Sequence, residues 1–225
     1  MMQVRKGFTL IELLLAMTAL SVLLIAVATT TMQMIDLYSK GITLRSVNQA
    51  GRDVSDMIKR DALSAVNGVK YVSPADGGGL GRLCMGSRSY IWSENTALQA
   101  GTAARYKLAS GASGDMIVLA RVIDSGGQYC AGAGARTLVV EAAKATELLG
   151  ARDSDLAIYG SNSFKPTRIT AASDEVNPIS SISFTIGTNE AGVIDTASQT
   201  CKPPTDDASN YEFCAINKFD MLIQG

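Results

Sequence analysis

The sequence predicts an α+β fold in which one long N-terminal helix packs on a mostly antiparallel β-sheet head. Two observations carry this. The first 66 residues contain no proline and keep apolar side chains at helical spacing, whereas the remainder breaks into short strand-like runs separated by glycine clusters. A helix followed by a series of strands is an α+β plan, with the apolar face of the helix filling the concave side of the sheet.

The helix begins in MMQVRKGFTLIELLLAMTALSVLLIAVATTTMQMI. Arg5 and Lys6 form a short basic patch, Gly7 follows, and the apolar run after it is interrupted only by Glu12. Residues 13–35 carry no charge. At about 1.5 Å per residue, that stretch is long enough to cross a hydrocarbon core of about 30 Å. Arg5 and Lys6 would stay on the cytoplasmic side, leaving the C-terminal bulk outside the cytoplasm. Two plainer readings compete. A secretory signal peptide should have a shorter apolar core ending in a small-residue cleavage site, and Glu12 at the start of that core does not suit it. A simple membrane anchor accounts for the length but not for the carboxylate. Unpaired in lipid, Glu12 would cost about 2.5 kcal/mol or more, so it should have a partner and a function.

The helical pattern continues to about residue 66. Val47, Ala50, Val54, Met57 or Ile58, Ala62 and Ala65 recur on one face, while Arg52, Asp53, Asp56, Lys59 and Arg60 fall mainly on the other. Asn67-Gly68 is a C-terminal stop signal. The expected helix therefore runs over 8–66, its first half in lipid and its second half against the head. Beyond it, strands are expected at 89–92, 104–108, 116–122, 136–141, 155–159, 163–170, 179–186 and 213–223. ISSISFTIG alternates most clearly, with Ile182, Phe184 and Ile186 on one side. Glycines at 77–79, 111–114, 126–127 and 132–134 mark turns.

Composition removes several function classes. The chain has 225 residues, suiting one medium domain plus an additional element. It has no histidine, so neither a Ser-His-Asp nor a Cys-His arrangement can be built, and no imidazole can ligate a metal. A net charge of −1 argues against a nucleic-acid partner, and Arg82, Arg88, Arg105 and Arg121 read as scattered surface charges. GGGLGR at 77–82 lacks the Lys-Ser/Thr of a phosphate loop and reads as a flexible loop. There is no GxSxG elbow, and no cofactor is implied. Acidic pairs occur at Asp153/Asp155, Asp174/Glu175 and Asp206/Asp207 without EF-hand spacing. Asp206 and Asp207 are the weak calcium candidates among them. Trp92, the single tryptophan, reads as core.

Four cysteines, Cys84, Cys130, Cys201 and Cys214, lack CxxC spacing and allow three pairings. An exported domain makes disulfides plausible. Cys201–Cys214 is the natural pair, closing the polar loop CKPPTDDASNYEFC at a gain of about 3 kcal/mol. Cys84–Cys130 then follows by elimination, the alternative being four free buried thiols.

RKGFTLIELLLAM resembles the type IV prepilin processing motif: a basic leader, Gly, then Phe-Thr-Leu-Ile-Glu. The resemblance implies cleavage by a prepilin peptidase between Gly7 and Phe8, N-methylation of Phe8, and a role for Glu12 against the terminal amine of a neighbouring subunit. Physically, a carboxylate in an apolar bundle is tolerated only when paired, so Glu12 can set register. The proline that many pilins carry in this helix is missing, and Thr29, Thr30 and Thr31 occupy its region. NQAGRDVSDMIKRDALSA is similar to the helix of minor pilins and pseudopilins of the PilW and PulJ kind.

The expected organisation is a leader over 1–7, a transmembrane assembly helix over 8–35, an amphipathic helix over 36–66 and a periplasmic or extracellular head over 67–225. The expected function is that of a minor pilin or pseudopilin in initiation or tip assembly of a type IV pilus or type II secretion pseudopilus. The expected partners are other pilin subunits, the prepilin peptidase, the inner membrane and its assembly platform. An alternative is a filament-displayed adhesin or DNA-uptake subunit whose Cys201–Cys214 loop binds a receptor. An enzyme is the least favoured reading.

Overall fold

The computed structural model describes residues 9–65, 68–108, 113–131, 139–150, 156–169, 179–190, 192–203 and 213–224. Helix α1 (Leu10–Leu63) has 54 residues and is unbroken, which makes it about 81 Å long. It ends at Ser64, a few residues before the expected stop, and Gly68 then turns the chain with a φ of 71°. Every residue over 10–35 is exposed, and Val47 is the first buried side chain. From there Val47, Gly51, Val54, Ile58, Asp61 and Ala62 are buried, with Ala50, Met57 and Ala65 packed at the margin. This is the face that the sequence pattern predicts.

The head has two principal sheets. The strands are β1 (Val69–Val72), β2 (Leu80–Met85), β3 (Arg88–Ser93), β4 (Arg105–Lys107), β5 (Ser113–Ile123), β6 (Val140–Glu141) and β7 (Ala145–Gly150), with the short helix α2 (Asn95–Gln99) between β3 and β4. They form one sheet in the order β1-β2-β3-β5-β4-β6, with β7 also on β5. The second sheet holds β8 (Leu156–Tyr159), β9 (Pro166–Arg168), β10 (Ile179–Thr188) and β13 (Ile216–Gln224). Strand β10 pairs with β13 along its length, and with β8 and β9 in succession on its other side. The hairpin β11 (Ile194–Asp195) and β12 (Thr200–Cys201) stands apart. Among the described residues every strand pairing except β4 with β6 is antiparallel.

Helix α1 packs on β13, β10 and β7. A column of aromatic rings joins the two sheets to it, stacked except where Trp92 and Phe164 meet at a tilt of 57°. Ring centroids run Tyr71 to Trp92 at 6.1 Å, Trp92 to Phe164 at 4.7 Å, Phe164 to Phe184 at 4.6 Å and Phe184 to Phe219 at 5.4 Å. These separations suit attractive aromatic pairs. At its end, the Phe219 ring occupies the space a Cβ on Gly51 would need, so only glycine lets α1 approach this closely. Trp92 lies over Gly81 in the same way and is fully buried, as the sequence suggests.

The structure corrects several expectations. Gly77–Gly79 form a turn, but the rest of GGGLGR opens β2 rather than a flexible loop. Every residue of β2 is buried, which removes the in–out alternation that marks a half-buried strand. Arg82 is not a surface charge. It is 1% exposed and donates to the carbonyl oxygens of Tyr129 at 2.8 Å and Gly77 at 3.4 Å. Arg121 is also committed, to Asp61. Strands β1 and β7 were not anticipated. The strand expected at 163–170 is β9 alone, because Phe164 adopts a φ of 64° and turns its ring into the core, its N–H bonding Ser183 O at 2.7 Å. Of the strand expected at 136–141, Val140–Glu141 forms β6, and residues 136–138 lie outside the described residues.

Candidate functional site

The chemistry singled out by the sequence begins where α1 begins. Thr9 is the N-cap, with extended backbone at φ −77° and ψ 149°. Its hydroxyl accepts from the Glu12 N–H at 3.4 Å, and its own N–H donates to Glu12 Oε2 at 3.0 Å. The Thr9 hydroxyl also donates to Oε2 at 2.8 Å. This is a reciprocal capping box, which satisfies donors that a helix N-terminus otherwise leaves open. It also places the carboxylate at the positive end of the helix dipole. Glu12 thus stays on its own helix while its surroundings are apolar. Gly7 and Phe8 lie outside the described residues, directly before Thr9.

The stem that follows is built for an apolar medium. Leu10, Ile11, Leu15, Val22, Leu23 and Ile25 are each at least 60% exposed, and no described residue of the head covers them. The helix is long and apolar enough to cross a membrane. Its few hydroxyls are bonded to the helix itself. Thr18 donates to Leu15 O, Ser21 to Met17 O, Thr29 and Thr30 to Ala26 O, and Thr31 to Val27 O. The Thr29–Thr31 stretch is helical, and its hydroxyls are satisfied by the helix's own carbonyls.

A second polar site fixes the far end of α1. Arg121 on β5 forks onto Asp61, its Nη2 donating to Oδ1 at 2.7 Å, while the Tyr90 hydroxyl donates to Oδ2 at 2.6 Å. Burial works to raise the Asp61 pKa. The hydrogen bonds from Arg121 and Tyr90, with the Arg121 charge, outweigh it and hold the carboxylate below its ordinary range. Burial and the adjacent carboxylate push the Tyr90 hydroxyl well up, keeping it a donor.

The cysteines are joined as Cys84–Cys130 and Cys201–Cys214. The first ties β2 to the short turn Gln128–Cys130, and the second ties β12 to the chain entering β13. Asp206 and Asp207 lie outside the described residues.

The sequence pattern does not single out Thr9 or Asp61 as site residues. The signal for Thr9 was present, since Thr-x-x-Glu ahead of an apolar run is a capping-box pattern. Asp61 offered none, because its partner Arg121 is 60 residues away in the chain.

Residues 2–28 match the prokaryotic N-terminal methylation motif. The match takes in Arg5, Lys6, Gly7, Phe8, Glu12 and the apolar helix as far as Ala28. No curated protein and no solved structure matches the chain. The chain therefore carries a prepilin-type N-terminus on a pilin-like α+β architecture. That motif marks structural subunits processed by a prepilin peptidase and assembled with other pilin subunits.

Proposed function

We propose that the chain is a minor pilin or pseudopilin, incorporated by its N-terminal helix into a type IV pilus or a type II secretion pseudopilus and acting in initiation at the tip. The observation that carries this is the stem of α1. Over 10–35 it is apolar, continuous and uncovered, with a single carboxylate at its start. Such a stem has two apolar surroundings available to it, a bilayer before assembly and a bundle of like helices after.

In this scheme residues 1–7 are the leader, 8–35 cross the inner membrane once, and 36–66 carry the helix into a head formed by 67–225. Cleavage after Gly7 gives Phe8 a free amine, which is then methylated. Glu12 pairs with the amine of a neighbouring subunit, delivered by an inner-membrane assembly platform. A subunit out of register leaves two buried charges unpaired, an expensive state in an apolar bundle. The large two-sheet head with two disulfides favours a minor subunit over the repeating one.

The decisive experiment replaces Glu12 by Leu in the full chain. Membrane insertion and leader removal, read by fractionation and by mass spectrometry of the N-terminus, are expected to persist, while filament or secretion function is lost. Normal piliation and secretion in that variant would refute the reading.

A further inference from the structure

Strand β10 separates two environments. Ile182, Phe184 and Ile186 face α1 and the core, and the alternate residues Ser183 and Thr185 face the other way. On that outer face lies a cleft of about 390 Å³. Asn162, Ser183, Thr185, Thr196, Gln199 and Lys218 line it. Its size falls in the lower part of the about 300–1,000 Å³ range of small-molecule sites.

Gln199 is the unusual residue here. Among the described residues, only Phe164 and Gln199 are non-glycine residues with positive φ. Such a conformation costs about 1–3 kcal/mol and persists only where the surroundings fix it. For Phe164 the return is evident, because its ring fills the core between Trp92 and Phe184. Gln199, at a φ of 53°, fills no core; it holds a carboxamide at the wall of the cleft. That carboxamide is also locked. Thr185 Oγ1 donates to Gln199 Oε1 at 3.0 Å, and Nε2 occupies the space beside Gly160 that a Cβ there would take. The turn before it is braced by Asp195, which accepts from the Ala197 N–H at 2.9 Å and the Ser198 hydroxyl at 2.8 Å. Two residues on, Cys201 is bonded to Cys214.

We propose that this cleft binds a neutral, hydroxyl-rich saccharide, with Gln199, Ser183 and Thr196 as its polar contacts. Hydroxyl and carboxamide groups both donate and accept, which matches sugar hydroxyls and suits neither an apolar ligand nor a polyanion. Among the described residues Lys218 is the one cation in the lining, and it is paired with Asp220 at 3.4 Å, so these residues leave no excess charge for an anion. The groups sit on a sheet strand and a disulfide-anchored hairpin, so little ordering is needed on binding. Because the cleft lies on the face of β10 away from α1, packing through the stem leaves it open. The inference is thus independent of filament assembly.

The test uses the full chain in a detergent without a sugar headgroup. It is screened on an array of neutral hexoses and N-acetylhexosamines, sialylated glycans, and the N-acetylglucosamine–N-acetylmuramic acid disaccharide with its lactyl carboxyl capped as the amide, and hits are titrated by calorimetry. Cell-surface and cell-wall saccharides are thereby separate arms. A neutral saccharide is expected to bind, and Gln199→Ala to weaken it about tenfold, the loss of one good hydrogen bond. Thr196→Ala, at the exposed rim, provides the same readout should Gln199→Ala fail to fold. Lys218→Gln should change affinity by no more than about twofold. The proposal is overturned if no neutral saccharide binds above background, if both variants bind as tightly as the parent, or if binding is confined to acidic glycans and lost with Lys218→Gln.

Discussion

The two halves of α1 share one backbone but solve the same problem in opposite ways. Over 47–62 the helix buries one face against its own head, and its neighbours are dictated to the atom. Gly51 is held to glycine by the Phe219 ring, and Asn48 Oδ1 receives a hydrogen bond from Asn217 at 2.7 Å. Over 10–35 it buries nothing, and apolar residues point in all directions. A one-sided stripe means a single fixed partner, whereas an all-round apolar surface means a surrounding medium. Part of the helix is thus a structural member of the head, and part has surroundings that the described residues do not supply.

Substitutions of matched chemistry in the two halves test this contrast. Ile58→Ala, in the buried face, is expected to lower the stability of the head by about 3 kcal/mol, through lost transfer energy and a residual cavity. Chemical denaturation followed by Trp92 fluorescence would show it. Asp61→Ala should cost about 2 kcal/mol, because it strands the Arg121 guanidinium and the Tyr90 hydroxyl. Asp61 also gives a pH signature. Its pKa is depressed in the folded state, so its contribution is fully present above the ordinary carboxylate value of about 3.9 and drains away as pH falls below it. The melting difference between the parent and Asp61→Asn should accordingly narrow on acidification through that window and stay constant above it. The smallest effect belongs to Leu24→Ala. Leu24 is 58% exposed in the stem, and head stability should change by less than about 0.5 kcal/mol. A destabilisation comparable to that of Ile58→Ala would mean that the stem folds back on the head, and the contrast would fail.

How much of this was legible in the sequence depended on the range of each interaction. The buried face of α1 was readable because helical spacing is local. Strand β10 was readable because its apolar residues alternate with serine and threonine. Strand β2 was hidden, since burial on both faces erases alternation, and Gly81 with the glycines just before the strand mimics a loop. Arg82 and Arg121 looked alike as isolated charges, and only tertiary partners 47 and 60 residues away distinguish them from surface residues. The residue type of Phe164 favours a strand, and its left-handed backbone is imposed by the core it fills. At the N-terminus, Glu12 was found from its cost in lipid. The capping pattern of Thr9 coincides with the processing motif, which masks it.

The capping box bears on how the end of α1 would enter a bundle. Thr9 directs both of its hydrogen bonds to Oε2 of Glu12, and a carboxylate offers about four lone-pair sites over its two oxygens, so the cap does not exhaust its capacity to accept. In the proposed assembly an arriving amine would therefore add to the capped carboxylate rather than displace Thr9. The helix end would be carried from one apolar surrounding to the other with its cap, worth about 1 kcal/mol, intact.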